Sequence, residues 1–261
     1  MQLIKRQLVD KLKVKPNLPP NIIKVKSFNE PNVEIDYEEV GHTYEYNGIK
    51  FVGVTSFIKK YCKEFKLDLI AKTCSKLWNV PAQAIIDMWS ANGKVSSEFG
   101  TAIHNAIEYY ELNKDLGQII SDTKGDEDNY ALPKHPILKD IVKEFIKINP
   151  VAGKVLTEVL ITNIELGICG RADRIVILDE ANKICRIGDY KVNVESDVSK
   201  SESKLLEPFD YLPSTKISKY QLQMSIYANM LQKSGWTVEG LDVYVLEDGW
   251  KYYPLEVLNV I

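Results

Sequence analysis

"ICGRADRIVILDEANKICRIGDYK", residues 168–191, decides the fold. Two apolar, β-branched runs flank the polar turn "DEANK", a pattern that predicts two antiparallel strands. Successive side chains alternate across a strand, so Asp189 and Lys191 share a face and Tyr190 points to the opposite layer. Pairing through a turn near 179–183 brings Asp173 to the same strand end as Asp189. Two carboxylates meeting there repel each other and disfavour joint ionisation. A divalent cation removes that cost, and Mg²⁺ suits it as a hard ion that takes one or two carboxylates and binds phosphate. Lys191 beside them would hold or deprotonate a water and offset phosphate charge. A D-x-K triplet arises by chance about once in a chain of this charge content, so its weight depends on its neighbours.

Working outward, "VLTEVLIT" (155–162) adds a third strand to an antiparallel meander. "KISKYQLQMSIYANMLQKSG" (216–235) predicts a helix ending at Gly235, with Gln223 and Tyr227 on one face and Met224, Ile226, Tyr227 and Leu231 turned inward. "LDVYVLED" and "WKYYPLEVL" supply closing strands. Upstream, Asn47-Gly48 between "TYEY" and "KFVGV" predicts a hairpin over 43–54, with Thr55 or Ser56 capping a following helix. Further helices are expected at about 65–78, 81–92, 97–113 and 136–148. "SDTKGDEDNYALPKHP" (121–136) reads as an exposed loop, and 195–215 as a charged, irregular connection.

Residues 1–13 have the spacing of a short amphipathic helix, "KPNLPPN" breaks it, and 14–40 read as a linker. The expected organisation is therefore an N-terminal arm over 1–40 and one domain over 41–261. The order of helices, meander, helix and strand implies an α/β or α+β domain with a helical face.

The 261 residues are 45% apolar and 26% charged, ordinary for a water-soluble domain, and no window approaches the roughly 20 apolar residues of a membrane span. The start lacks a secretory signal's apolar stretch, so a cytoplasmic protein is expected. A net charge of −3 argues against a nonspecific DNA coater but leaves room for local positive charge around a groove. Cys62, Cys74, Cys169 and Cys185 contain no C-x-x-C pair, which favours buried reduced thiols over a zinc or iron–sulfur centre.

"FGTAIHNAIE" (99–108) places His104 and Glu108 one helical turn apart. With it, the pieces stand in an informative order: Gly100-Thr101…His104…Glu108, Glu158, Gly170…Asp173, Asp189-Tyr190-Lys191 and Gln223…Tyr227. Over roughly residues 42–245 this resembles the RecB-like branch of the PD-(D/E)xK nuclease superfamily, whose members include phage and mitochondrial exonucleases. The resemblance implies a restriction-endonuclease-like mixed β-sheet flanked by helices. It implies Asp173 and Asp189 as metal ligands, joined by the Tyr190 carbonyl and His104. Lys191 would position or activate water, and Gln223 and Tyr227 would contact substrate. Glu158 either supports this catalytic set or stands exposed to water, and Glu108 braces the helix.

Ala172 occupies the position of the proline that names the superfamily. No cysteine follows Cys185, so the four-cysteine cluster of some relatives is not expected. No G-x-x-x-x-G-K-[ST] motif appears, so any helicase motor would be another protein.

The implied function is Mg²⁺- or Mn²⁺-dependent hydrolysis of DNA with one or two ions, as an exonuclease in end processing, recombination or replication. A recombination or replication protein is a natural partner. Arg171, Lys216 and Lys219 are candidate phosphate contacts. The aromatic 42–51 hairpin either stacks bases or packs on the core. The rivals are a non-catalytic DNA-binding or assembly protein on the same fold, and an endonuclease or RNA nuclease.

Overall fold

Alternating β-branched and aromatic residues build nine strands among the residues described by the computed structural model, which are 22–38, 41–114, 136–149, 152–192 and 203–261. The strands are β1 (Ile22–Lys26), β2 (Glu34–Glu38), β3 (Thr43–Tyr46), β4 (Ile49–Gly53), β5 (Lys154–Asn163), β6 (Ile168–Asp179), β7 (Ile184–Val192), β8 (Thr237–Leu246) and β9 (Trp250–Leu255). The helices are α1 (Val54–Ile58), α2 (Leu67–Trp78), α3 (Ala82–Asn113), α4 (Pro136–Ile148) and α5 (Lys216–Lys233). The chain is mixed α/β, a large mixed sheet flanked by helices. The sheet runs β1-β2-β3-β4-β6-β7-β8-β9, with β5 on the remaining edge of β6. The β4–β6 and β7–β8 pairs are parallel and the others antiparallel.

Each face of the sheet buries its own core. Ile161, Ile175, Ile187 and Val243 pack with Leu222, Met224 and Leu231 of α5. On the other face, Tyr190, Tyr244 and Trp250 pack with Ile103 and Ile107 of α3 and Val142 and Phe145 of α4. Each fully buried side chain of this size contributes about 1.5–3 kcal/mol.

The meander forms as the sequence predicts, as does the hairpin, whose Asn47 and Gly48 both take positive φ. Residues 22–38, expected as linker, instead form β1 and β2: β1 pairs with β2 and β2 with the hairpin, and Ile35 and Tyr37 are buried because "EIDYE" alternates apolar and acidic residues with the period of a strand. The helices expected at 81–92 and 97–113 are one helix, α3: Gly93 costs only about 1 kcal/mol, and Ile85 and Phe99 anchor either side of it. α1 begins at Val54 behind Gly53 without a side-chain cap, so Thr55 and Ser56 lie inside it. α5 ends at Lys233, two residues before the positive-φ Gly235. The helix expected over 1–13, the loop over 121–135 and residues 195–202 lie outside the described residues. Residues 203–215 are irregular, with one Lys204–Pro213 bridge. No helix among the described residues is long and apolar enough to cross a membrane.

One buried ion pair ties α3 to β6. Arg174 Nη2 donates to Glu111 Oε1 at 3.1 Å, with side-chain exposures of 1% and 3%. Arg174 Nη1 also donates to Asn149 Oδ1 at 3.1 Å. Removing one partner of such a pair strands the other charge, so Glu111→Ala is expected to lower unfolding free energy by about 3–5 kcal/mol. Glu111→Ala/Arg174→Met should recover most of that loss, and urea denaturation of the three proteins measures both effects.

Candidate metal centre

β6 and β7 pair back from Asp179/Ile184 to Arg174/Gly188, and there the ladder stops. The next position would set Asp173 opposite Asp189, and like charges directly opposite destabilise a strand pair. The other edge of β6 shows a matching interruption. Thr157 pairs with Arg174 and Val159 with Ala172, while the Glu158–Asp173 position between them is unpaired. Glu158 has φ 50°, left-handed and uncommon for a non-glycine residue. Such conformations cost about 1–3 kcal/mol and cluster at functional sites. Three carboxylates thus stand in a row across β5, β6 and β7.

The opened backbone finds new partners. Tyr190 N–H donates to Asp173 Oδ2 at 3.2 Å. His104 Nε2 lies 2.8 Å from the Tyr190 carbonyl oxygen. A carbonyl only accepts, so Nε2 carries a hydrogen, and Nδ1 stands 3.4 Å from Asp173 Oδ2. One ligand atom each from His104, Glu158 and Asp173 lie within 4.8 Å of one another. One imidazole nitrogen and two carboxylate oxygens at that spacing are a donor set that a small divalent cation such as Mg²⁺ or Mn²⁺ could share.

Asp189 lies beside this trio rather than in it. Its Oδ2 is 2.5 Å from Lys191 Nζ, and the charge of the neighbouring Asp173 works against its own. Arg171 Nε lies 3.2 Å from Glu158 Oε2, with its guanidinium over the Tyr37 ring. Thr157 Oγ1 donates to Glu108 Oε1 at 3.3 Å, so Glu108 braces α3 against β5. From α5, Tyr227 lies across Gly170, where a Cβ would sit 2.8 Å from the hydroxyl, with Gln223 one turn before it on the same face. Lys191 Nζ stands 5.0 Å from the centroid of the Tyr220 ring.

Burial and mutual repulsion divide the protons. Burial, then Asp173, raise the Glu158 pKa to about 7. Burial raises Asp189 as well, to about 7, with Asp173 adding to it against the pull of Lys191. For Asp173 burial is outweighed by His104 and Lys191, and its carboxyl is held below the ordinary value. Burial lowers the His104 pKa, against the pull of Asp173. Burial also opposes the charge on Lys191, but Asp189 and Asp173 more than offset it, so Lys191 stays a cation at neutral pH.

The structure therefore gathers His104, Glu158, Asp173, Asp189 and Lys191, with Arg171, Gln223 and Tyr227 around them. The Tyr190 carbonyl, expected as an open ligand, receives the His104 hydrogen bond instead. Lys216 is exposed at the start of α5, about 16 Å along the helix from Tyr227, and Lys219 is half-buried about 12 Å away. Two contacts escaped sequence reasoning. Tyr220 shares the face of Gln223 and Tyr227 at i, i+3 and i+7, a readable signal. Tyr37 lay in the supposed linker, where only the alternation of "EIDYE" marked a strand.

No protein-family model and no curated protein matches the chain. A solved structure titled "Crystal structure of SSO0001" aligns at 19% identity over 61% of this chain and 67% of that chain, with a TM-score of 0.27. At that score the likeness carries no weight for fold or function.

A carboxyl whose folded pKa is raised keeps a proton that the unfolded chain loses above about pH 4. Asp189 therefore destabilises the metal-free fold progressively from about pH 4 to about 7, and by a constant amount above that. Asp189→Asn is expected to melt higher than wild type in EDTA at pH 8, by at least the roughly 2–4 °C that ~1 kcal/mol produces in a chain of this size. The gap should close towards pH 4.5. Scanning calorimetry across that range checks it, and a pH-independent gap would show that Asp189 does not titrate in this window.

Proposed function

We propose that the chain is a divalent-metal-dependent DNA nuclease with a restriction-endonuclease-like fold, of the RecB-like PD-(D/E)xK type, acting as an exonuclease at DNA ends. The observation that carries this reading is the row of Glu158, Asp173 and Asp189 across three adjacent strands, facing His104 and with Lys191 Nζ 2.5 Å from Asp189. Concentrating acids in this way costs stability in the metal-free protein, and a cation-dependent task gives the cost a purpose.

His104, Glu158 and Asp173 would hold Mg²⁺ or Mn²⁺, with Asp189 completing the acidic wall. The ion would neutralise the phosphodiester and supply a water of lowered pKa. Lys191, charged and buried, donates hydrogen bonds to that water or to a phosphate oxygen. Its raised pKa suits positioning rather than proton removal. Tyr227 is held protonated by burial and would donate from the α5 side, with Gln223 one turn before it. Arg171 on β6 and Lys216 and Lys219 on α5 would meet flanking phosphates. The preference for DNA over RNA, and for ends over internal bonds, rests on the motif order.

End-labelled duplex and single-stranded DNA incubated with Mg²⁺, Mn²⁺ or EDTA test this directly. Wild type is expected to shorten the label in either metal and not in EDTA. Asp189→Asn and Lys191→Ala should lower the rate by at least about 10²–10³-fold, the loss typical of removing a charge-stabilising group. His104→Ala should be partly rescued by raising the Mn²⁺ concentration. Full cleavage by Asp189→Asn, or none by wild type in any metal, would reject the reading.

A further inference from the structure

α2 and the first half of α3 form a helical hairpin that projects from the core. The connection across Asn79, Val80 and Pro81 is too short for anything but antiparallel packing, and Asn79 takes the left-handed conformation that ends α2. In α3, Ile85 is the one buried residue described before Phe99, whereas buried residues recur on every turn from Phe99 to Glu111. From Ala82 to His104 the helix rises about 33 Å, so the arm begins beside the metal centre and reaches well beyond it.

The surface of this arm has an unusual composition. Lys59–Val80, from the turn after α1 to the tip of the hairpin, holds six lysines against Glu64 and Asp68, a net charge of +4 in a chain whose net charge is −3; Lys59, Lys60, Lys63 and Lys66 line the approach to α2, and Lys72 and Lys76 lie on it. All six lysines are exposed. Among them stand large apolar side chains left in water: Phe65 at 65% exposure, Leu69 at 60%, Leu77 at 76% and Trp78 at 54%. On α2, Leu69, Lys72, Thr73, Lys76 and Leu77 recur at helical spacing along one exposed face. Lys72 and Lys76 are one turn apart, about 6 Å along the axis, comparable to the repeat of phosphates along an extended strand. Phe65, exposed between Lys63 and Lys66, leads into the α2 face that carries Lys72 and Lys76, whereas Trp78 lies round the helix on the side of the buried Ala71. A partner protein would be met by apolar surface with few lysines, since lysine is depleted from protein interfaces. An exposed ring among cations is the chemistry that holds a single-stranded nucleic acid, a base stacked on the ring and phosphates on the lysines.

We propose that the exposed face of α2, with its approach, is a binding track for a single nucleic-acid strand, with Phe65 as a stacking platform and Lys66, Lys72 and Lys76 as phosphate contacts. The placement of its inner end beside the strand being cleaved rests on the nuclease reading; the track itself does not. The strand leaves the fork between β6 and β7 and runs outward along the arm, which gives an end-processing enzyme a grip on DNA several nucleotides from the bond it cuts.

The test is fluorescence anisotropy of a fluorescein-labelled oligothymidylate titrated with full-length protein in EDTA, where nothing is cleaved. Lys72→Glu/Lys76→Glu is expected to bind at least about tenfold more weakly and to reduce the salt dependence of log Kd by roughly 1.4, two contacts at about 0.7 each. Lys72→Ala/Lys76→Ala should move both quantities in the same direction. Phe65→Ala should weaken binding by about fivefold or more with the salt dependence unchanged. These positions are exposed, so melting temperatures should match wild type. Mn²⁺ titrated calorimetrically into each variant should bind as to wild type, which separates the arm from the metal centre. Loss of Mn²⁺ binding or cleavage in every protein, with arm-dependent oligonucleotide binding intact, would reject the nuclease reading and leave the track standing. Wild-type affinity in all three variants would overturn it. So would dissociation of a dimer by these substitutions with oligonucleotide binding unchanged, which would assign the face to a second copy of the chain.

Discussion

A β-ladder can carry only so much like charge in one rung, and in this chain three carboxylates compete for the same one. Asp173 lies between Glu158 on β5 and Asp189 on β7, and neither pairing forms: the β5–β6 ladder skips its position and the β6–β7 ladder stops just before it. Opening the ladder leaves backbone groups that must be satisfied elsewhere. Asp173 takes the Tyr190 N–H and His104 takes the Tyr190 carbonyl, so the same residues that break the sheet repair it. The break is therefore stable only while α3 holds His104 over the fork. That makes the Arg174–Glu111 pair the hidden support of the site, because Arg174 follows Asp173 directly and Glu111 lies two turns beyond His104.

The fork also explains why the site draws on both faces of the sheet. A continuous sheet would separate the α3 side, with His104 and Tyr190, from the α5 side, with Lys191, Tyr220 and Tyr227. Where β6 and β7 part, an imidazole from one layer and an ammonium from the other approach the same pair of aspartates. Gly170 extends the opening on the α5 side, since any side chain there would meet Tyr227. The aromatic rings of Tyr190 and Phe145 close the α3 side against water, packed edge to face.

Local signals carried most of this into the sequence. The meander, its turn, the Asn47-Gly48 hairpin and the spacing of Asp189, Lys191, Gln223 and Tyr227 depend on period and turn chemistry, which act over a few residues. What escaped depended on distant partners. "IIKVK" and "EIDYE" are too short and too charged to announce themselves as strands, and only the hairpin that they pair with makes them so. The unbroken α3 hides behind Gly93, a weak local penalty overruled by packing at both ends. The role of Glu158 could not be chosen from its strand alone, because its unusual φ is set by the carboxylate across the ladder.

The distribution of charge makes the arm and the fork two halves of one electrostatic arrangement. A chain of net charge −3 that handles a polyanion cannot rely on its overall field, and its acidic fork would repel an approaching phosphate until a cation sits there. Positive charge placed at the cutting site itself would weaken the cation's hold. Placed on a projecting hairpin it does not, because at physiological ionic strength exposed charges separated by more than about 8 Å are largely screened from one another. Lys72 and Lys76, more than a turn of α2 beyond Lys66 and further still from the fork, can attract a strand without competing for Asp173. Lys191 and Arg171 are the exceptions that fit the same logic: each stands against a carboxylate of the site, Asp189 and Glu158 respectively.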